Sequence, residues 1–221
     1  MTTFLFLRHA HSQANAAGVL AGRTEGIHLS DKGEQQATDL RLFLSSFQIQ
    51  KIYSSPLERC IETVRPFSES IKKKISIAPG FIEMDYGSWS GEKLRELSKK
   101  SLWRSIQKRP ETVTFPEGES FIQAWRRIER SLTELSKSHP KSTVLICSHG
   151  DIIKMALTMT LRSPLNTFQN IIVDPASLSS VYWDGKQRTL LSSNITMKNQ
   201  VNVKKNKGLR NRRTLGGGSG G

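Results

Sequence analysis

Apolar residues cluster in short runs at some points of the chain and recur at helical spacing at others. Thr3 to Leu7 is an apolar run that stops at Arg8-His9, the pattern of a buried strand whose last residues emerge at the end of a sheet. Ile49 to Tyr53 reads as a second strand, and Thr143 to Cys147 as the clearest central one. Weaker strand signals fall at Ile75 to Ile77 and at Phe81-Ile82, around Pro79-Gly80. Two late strands, Leu178 to Trp183 and Arg188 to Ser193, flank the turn Asp184-Gly185.

The segments between them have helical periods. Ser30 or Asp31 can cap a helix whose residues Ala37, Leu40, Leu44 and Phe47 face inward. Ser54-Ser55-Pro56 leads into another, with Pro56 suited to its first turn and Ile61, Val64 and Ile71 inward. Pro116 to Ser120 punctuates before a stronger helix, where Phe121, Trp125, Ile128, Leu132 and Leu135 step by four, three, four and three. Arg126 and Arg127 lie off that stripe and are expected to face solvent. A helix through Ile152, Ile153, Ala156 and Leu157 follows Ser148-His149-Gly150, and Gly87 to Pro116 reads as a helical excursion rich in Lys and Arg. Strands alternating with helices predict an α/β fold, a three-layer α/β/α sandwich with a largely parallel sheet. Sites in such sheets form beyond the carboxyl ends of the strands. Three groups fall there: Arg8-His9, Ser54-Ser55 with Arg59, and Ser148-His149.

The chain has 221 residues and a formal net charge of +14. A chain of this length buries roughly 70% of its unfolded surface, so its core needs no disulfide or structural metal. No apolar run approaches the roughly 20 residues of a membrane span, and the first residues lack a secretory pattern, so a cytoplasmic location without membrane contact is expected. Cys60 and Cys147 fit a reducing compartment, and neither has metal-ligand spacing. Seven of the positive charges, at 198, 204, 205, 207, 210, 212 and 213, lie in the Gly-rich segment 196–221. That segment is expected to be a disordered, solvated tail on a domain spanning 1–195; an arm for nucleic acid or an acidic partner is the less favoured reading. The body keeps a charge of +7, which steers anionic substrates towards it.

Of the histidines at 9, 11, 28, 139 and 149, only His9 and His149 follow apolar strands, where a side chain can leave the core and still be held rigidly. Two such imidazoles with two arginines suit phosphoryl transfer. The transferred group spreads negative charge over three oxygens, so catalysis is mainly positioning and electrostatics, and guanidinium forks fit that geometry. At about 4 Å and an effective dielectric near 20, each unit-charge pair is worth on the order of 4 kcal/mol before desolvation. A neutral imidazole, with an ordinary pKa of about 6.5, is a competent nucleophile for phosphorus. Glu83, near a strand end, is the candidate proton donor and Asp85 the fallback; an exposed loop carboxylate is the plainer account of Glu83.

These residues resemble the histidine phosphatase superfamily, which includes cofactor-dependent phosphoglycerate mutases. The resemblance runs from about residue 3 to 195 through Leu7-Arg8-His9-Ala10-His11-Ser12 with Asn15, then Leu29-Ser30 with Gly33, and Ser54-Ser55-Pro56-Leu57 with Arg59 and Thr63. It continues through Glu83 with Gly87, Trp89 and Gly91, Gly118-Glu119-Ser120, and Ser148-His149-Gly150. It implies a phosphoglycerate mutase-like fold, His9 as the phosphohistidine, and Arg8, Arg59 and His149 as the groups binding phosphoryl oxygens. Asn15 would assist, Glu83 would be the proton donor, and no metal would be required. Arg23 falls in the loop that would roof the pocket and is a candidate substrate contact. The chain departs from the family pattern in Ala10, where glycine is usual, and in His11, where glycolytic mutases carry an acid. It also lacks their arginine pair and proline-rich insert, which favours a phosphatase acting on small phosphomonoesters. The alternatives are a phosphomutase, the one case requiring 2,3-bisphosphoglycerate, and a non-catalytic phosphate- or polyanion-binding module. Nothing in the sequence fixes an oligomeric state.

Overall fold

A computed structural model describes residues 2–184 and 186–197. The basic tail expected over 196–221 lies outside the described residues from 198 onward, as does Gly185 of the late turn. Six strands form one sheet: β1 (Thr2–Arg8), β2 (Lys51–Ser54), β3 (Ile75–Ile77), β4 (Thr143–Ser148), β5 (Leu178–Trp183) and β6 (Arg188–Ile195), in the order β3-β2-β4-β1-β5-β6. Only β5 runs against the others, antiparallel to both β1 and β6. Side-chain alternation along β1 divides the core. Phe4 and Phe6 join one buried cluster with Val144, Ile146 and Trp183, while Leu5 and Leu7 join the other with Leu145 and Cys147.

Helices α2 (Asp31–Ser45) and α3 (Glu58–Ser70) cover the second cluster through Leu40, Leu44, Val64 and Phe67. The short α1 (Gln13–Ala17) precedes them, capped by Ser12. On the opposite face lie α6 (Phe121–Ser138) and α7 (Gly150–Thr160), with the shorter α4 (Leu94–Leu97) and α5 (Ser101–Lys108) beside them. The expected three-layer sandwich with a mostly parallel sheet is thus the observed one. The Gly87–Pro116 excursion is better anchored than its charge suggests. It buries Trp89, Leu97, Ile106, Val113 and Phe115, and each such side chain contributes about 1.5–3 kcal/mol, enough to fix the segment against the sheet.

Three local expectations are corrected. Pro56 is not in a helical first turn: it falls in a bend ahead of Leu57, the extended N-cap of α3, while Ser55 N–H still donates to the Cys147 carbonyl. Phe81-Ile82 is not a strand, because Pro79 has no N–H to continue the ladder and Pro79–Phe81 forms a 3-10 turn instead. Arg127 does not face solvent, for reasons that belong to the site below. No described helix is long and apolar enough to cross a membrane.

Candidate active site

The carboxyl ends of β1, β2 and β4 bring the three expected groups together. His9 follows β1 directly, and its N–H donates to the Ser148 carbonyl at 2.9 Å, so the two histidine-bearing strand ends are tied to each other. The His9 and His149 rings lie 5.3 Å apart, centre to centre, at 60°. His9 Nδ1 is 2.7 Å from the carbonyl oxygen of Ala10. A carbonyl can only accept, so Nδ1 carries the proton and Nε2 keeps its lone pair. Burial, then the charges of Arg59 and Arg8, hold the His9 pKa well below the usual imidazole value, so the ring is neutral at neutral pH. Thr63 braces this turn: its hydroxyl accepts from Ala10 N–H at 2.9 Å and donates to the Arg59 carbonyl at 2.6 Å. Ala10 lies outside the positive-φ region, so its Cβ brings no backbone strain beside the nucleophile.

His149 is the N-cap residue of α7, but its side chain makes no capping bond. Its Nε2 is 2.7 Å from the Ser55 hydroxyl, and its Nδ1 is 3.3 Å from Arg59 Nη2. Since the guanidinium can only donate, Nδ1 is the acceptor and Nε2 carries the proton. Burial, Arg59 and His9 push this imidazole's pKa well down too. Arg59 extends from the first turn of α3 and is 1% exposed. Its Nη2 also donates to the Gly22 carbonyl at 2.8 Å, a carbonyl aimed inward by the left-handed backbone at Gly22 (φ +54). Its Nε and Nη1 have no hydrogen-bond partner among the described residues. Arg8 is fully buried beside them, and its Nη1 donates to the Val173 carbonyl at 2.7 Å.

Glu83 is not an exposed loop carboxylate. It is 4% exposed, with Oε2 3.9 Å from His149 Nδ1 and Oε1 accepting from Met84 N–H at 2.9 Å. Burial first, then the charge of Asp151, raises its pKa to about 7, against the pull of Arg59 and Arg8. The fallback, Asp85, is at the rim: it pairs with Arg23 at 3.4 Å and accepts from Gly87 N–H at 3.0 Å. Asn15 uses Oδ1 in the capping box of α1, accepting from Ser12 N–H and Oγ, both at 3.0 Å. Arg23 faces protein acceptors: the Glu83 carbonyl at 3.0 Å, Asp85, and Glu119 at 3.0 Å. His28 pairs with Glu62, His139 with the Tyr53 hydroxyl and His11 with Ser30, away from this cluster.

Two sets of residues around Glu83 escaped the sequence reading. Arg127 reaches the Glu83 carbonyl, where an amphipathic-stripe argument points it outward. Asp151 and Lys154 are buried within α7, with Tyr86 O–H donating to Asp151 Oδ2 at 2.8 Å and Lys154 Nζ 3.4 Å from Asp151 Oδ1. A charged pair three residues apart inside an otherwise apolar helix was the available signal for the second set. Among the described residues, no group of three or more His, Cys, Asp or Glu side chains is placed to hold a metal.

A neutral, oriented imidazole, buried guanidinium groups and a carboxyl that titrates near neutrality, all at one end of a mostly parallel sheet, define an enzyme site for phosphoryl groups. The chain belongs to the histidine phosphatase superfamily (branch 1), which it matches over residues 4–196. It is 31% identical over 198 residues to phosphoserine phosphatase 1 of Hydrogenobacter thermophilus, covering 89% of this chain and 93% of that one. It is 25% identical over 189 residues to the adenosylcobalamin/alpha-ribazole phosphatase of Escherichia coli, covering 83% and 91%. Among solved structures, a mycobacterial glucosyl-3-phosphoglycerate phosphatase in complex with VO3 has the same fold, with a TM-score of 0.80 at 22% identity, covering 88% of this chain and 99% of that one. The protein is a histidine phosphatase that hydrolyses small phosphomonoesters.

Proposed function

We propose that hydrolysis runs through His9 in two steps and requires no metal. In the first, the lone pair of His9 Nε2 attacks phosphorus, the bond from phosphorus to the ester oxygen breaks, and Glu83 gives that oxygen its proton. In the second, the ionised Glu83 takes a proton from water, whose oxygen displaces His9 and releases inorganic phosphate. Arg8 and Arg59 hold the phosphoryl oxygens, His149 joins them when its Nε2–H turns from the Ser55 hydroxyl to an oxygen of the substrate, and Asn15 assists through its side-chain nitrogen. Arg23 serves the site from behind Glu83 and touches the substrate only at the rim. The single observation that carries this reading is Arg59, a buried guanidinium with two unused donors beside both imidazoles. A buried cation of this kind is stabilised when an anion takes those donors. Residues 1–195 form the catalytic domain, and two buried free cysteines support a cytoplasmic location.

The relative of 31% identity makes phosphoserine the substrate to test first among small phosphomonoesters. The test is turnover in excess EDTA, with protein quenched in alkaline detergent, where a P–N bond survives, examined for a phosphorylated imidazole. Expected results are turnover unaffected by EDTA, a labelled His9, and inorganic phosphate as the product. Strict metal dependence, or an isomeric ester as the product, would overturn the reading.

The pH profile follows from the two shifted groups. The nucleophile must be unprotonated, so kcat/KM rises as pH climbs through the depressed His9 pKa. The acid must be protonated, so kcat/KM falls as pH passes the Glu83 value of about 7. The substrate phosphate itself titrates at about 6 and overlaps the rising limb, which leaves the falling limb as the diagnostic one. Glu83→Gln is expected to lower kcat/KM by about 10²–10⁴ and to remove that falling limb. A limb that persists unchanged in the variant would assign it to another group.

A further inference from the structure

Glu83 sits on a segment with no regular secondary structure, between the 3-10 turn at Pro79–Phe81 and a second one at Gly87–Trp89. Such a segment has no ladder of its own to fix a carboxyl within the fraction of an ångström that proton transfer demands. The fixing comes from outside. Arg127, on α6, donates from Nη2 to the Glu83 carbonyl at 3.1 Å and from Nη1 to the Gly80 carbonyl at 2.8 Å. Arg23, from the loop on the other side, donates from Nε to the same Glu83 carbonyl at 3.0 Å.

Both guanidinium groups end on Glu119. Arg127 reaches it in a two-point fork, Nη2 to Oε1 at 2.7 Å and Nε to Oε2 at 3.1 Å, and Arg23 Nη2 meets Oε1 at 3.0 Å. Glu119 also accepts from Asp85 N–H at 3.0 Å and gives its own N–H to the Asp85 carbonyl at 2.9 Å. One carboxylate therefore holds two cations whose remaining donors grip the backbone at 80 and 83, while Glu119 itself grips the backbone at 85. The Glu119 and Arg127 side chains are 12% and 19% exposed, which excludes most of the solvent that would loosen such pairs.

We propose that Arg127 and Glu119, with Arg23, are positioning residues that clamp the Glu83 backbone so that its carboxyl meets the departing ester oxygen. This rests on the reading of Glu83 as the proton donor. The clamp grips the main chain and leaves the carboxyl free: Glu83 Oε1 is bonded only locally, to Met84 N–H, and Oε2 is turned towards His149. In the step that breaks the ester bond, its effect is therefore confined to substrates whose leaving group needs a proton.

The test uses two substrates that differ in that need. An alkyl phosphate such as phosphoserine must have its leaving oxygen protonated, whereas p-nitrophenolate departs without a proton. In a double-displacement reaction, kcat/KM reports the step that breaks the ester bond, which isolates the acid's contribution. Arg127→Met is expected to lower kcat/KM for phosphoserine about 10- to 100-fold and for p-nitrophenyl phosphate less than about 3-fold, which is a loss of part of the 10²–10⁴ that a general acid supplies. Glu119→Gln, which keeps the volume and weakens both forks, is expected to repeat the pattern more mildly. It keeps the proposal testable if Arg127→Met does not fold. In a Glu83→Gln background, adding either change is expected to cost nothing further. Equal losses on both substrates, or full additivity with Glu83→Gln, would overturn the clamp and leave the role of Glu83 intact. Unchanged phosphoserine turnover in Glu83→Gln itself would remove that role, and the clamp with it.

Discussion

His9→Ala is expected to lower kcat/KM by at least about 10⁴-fold, a barrier increase of about 5 kcal/mol or more, and to abolish the phosphoenzyme trapped by an alkaline detergent quench. No neighbouring group can substitute. His149 Nδ1 accepts from Arg59 and its Nε2 is committed to Ser55, so its lone pair is not available for attack. Cys60 Sγ lies 3.5 Å from His149 Nε2 but is fully buried behind it. Loss of the fold is not an adequate rival explanation. Among the described residues the His9 side chain bonds to the adjacent Ala10 carbonyl alone, while the contact to β4 is made by its backbone N–H, which alanine retains. Thermal unfolding of the variant should therefore stay within a few degrees of the parent. Single-turnover assays with radiolabelled substrate supply the check, and a phosphorylated variant, or activity above about 1% of the parent, would contradict the assignment.

The same geometry explains which parts of the molecule could be read from the sequence. Strands β1 and β4 are buried on both faces, so their apolar runs are continuous, and the polar residues that close those runs, Arg8-His9 and Ser148-His149, mark where the sheet ends. The location of the site follows from those two breaks. The carboxyl was less legible, since Phe81-Ile82 mimics a strand and only the 3-10 turn at Pro79 brings Glu83 back over the sheet. Ser148 O–H donates to the Phe81 carbonyl at 2.7 Å and fastens that turn, a contact between residues 67 positions apart that no local pattern encodes.

Arg127 illustrates a different limit. Helical periodicity separates core from non-core, but it does not distinguish a flank facing solvent from one facing an irregular segment such as Gly80–Asp85. In α7 the opposite error arises. The stripe Ile152, Ile153, Ala156 and Leu157 suggests one buried face, whereas every residue from Gly150 to Thr160 is buried, which forces Asp151 and Lys154 into a polar network beside Glu83. Burial is the main reason a carboxyl on this loop titrates near neutrality, and the charge of Asp151 in that network adds to it.

Arg59→Met should separate binding from folding more cleanly than any other change at the site. Methionine replaces the stem of the arginine with a flexible apolar chain and deletes the cation with its donors. Two charge-assisted hydrogen bonds to a phosphoryl dianion, at about 1.5–3 kcal/mol each, set the expected loss in kcat/KM on the order of 10³. Without bound anion the balance differs. The wild-type guanidinium is 1% exposed with Nε and Nη1 unsatisfied, a condition that itself costs free energy, and its secured contacts are the Gly22 carbonyl and His149. The variant is therefore expected to be as stable as the parent, or more so, in phosphate-free buffer. Orthophosphate at about 100 times its dissociation constant stabilises the parent by about 2.7 kcal/mol through mass action. The variant should show almost none of that gain, because the group that recognises the anion is gone. Thermal unfolding with and without phosphate measures both quantities at once. A variant that keeps the phosphate-induced rise in Tm would show that the oxyanion is held elsewhere, and one that unfolds well below the parent in phosphate-free buffer would show that Arg59 supports the fold rather than the ligand.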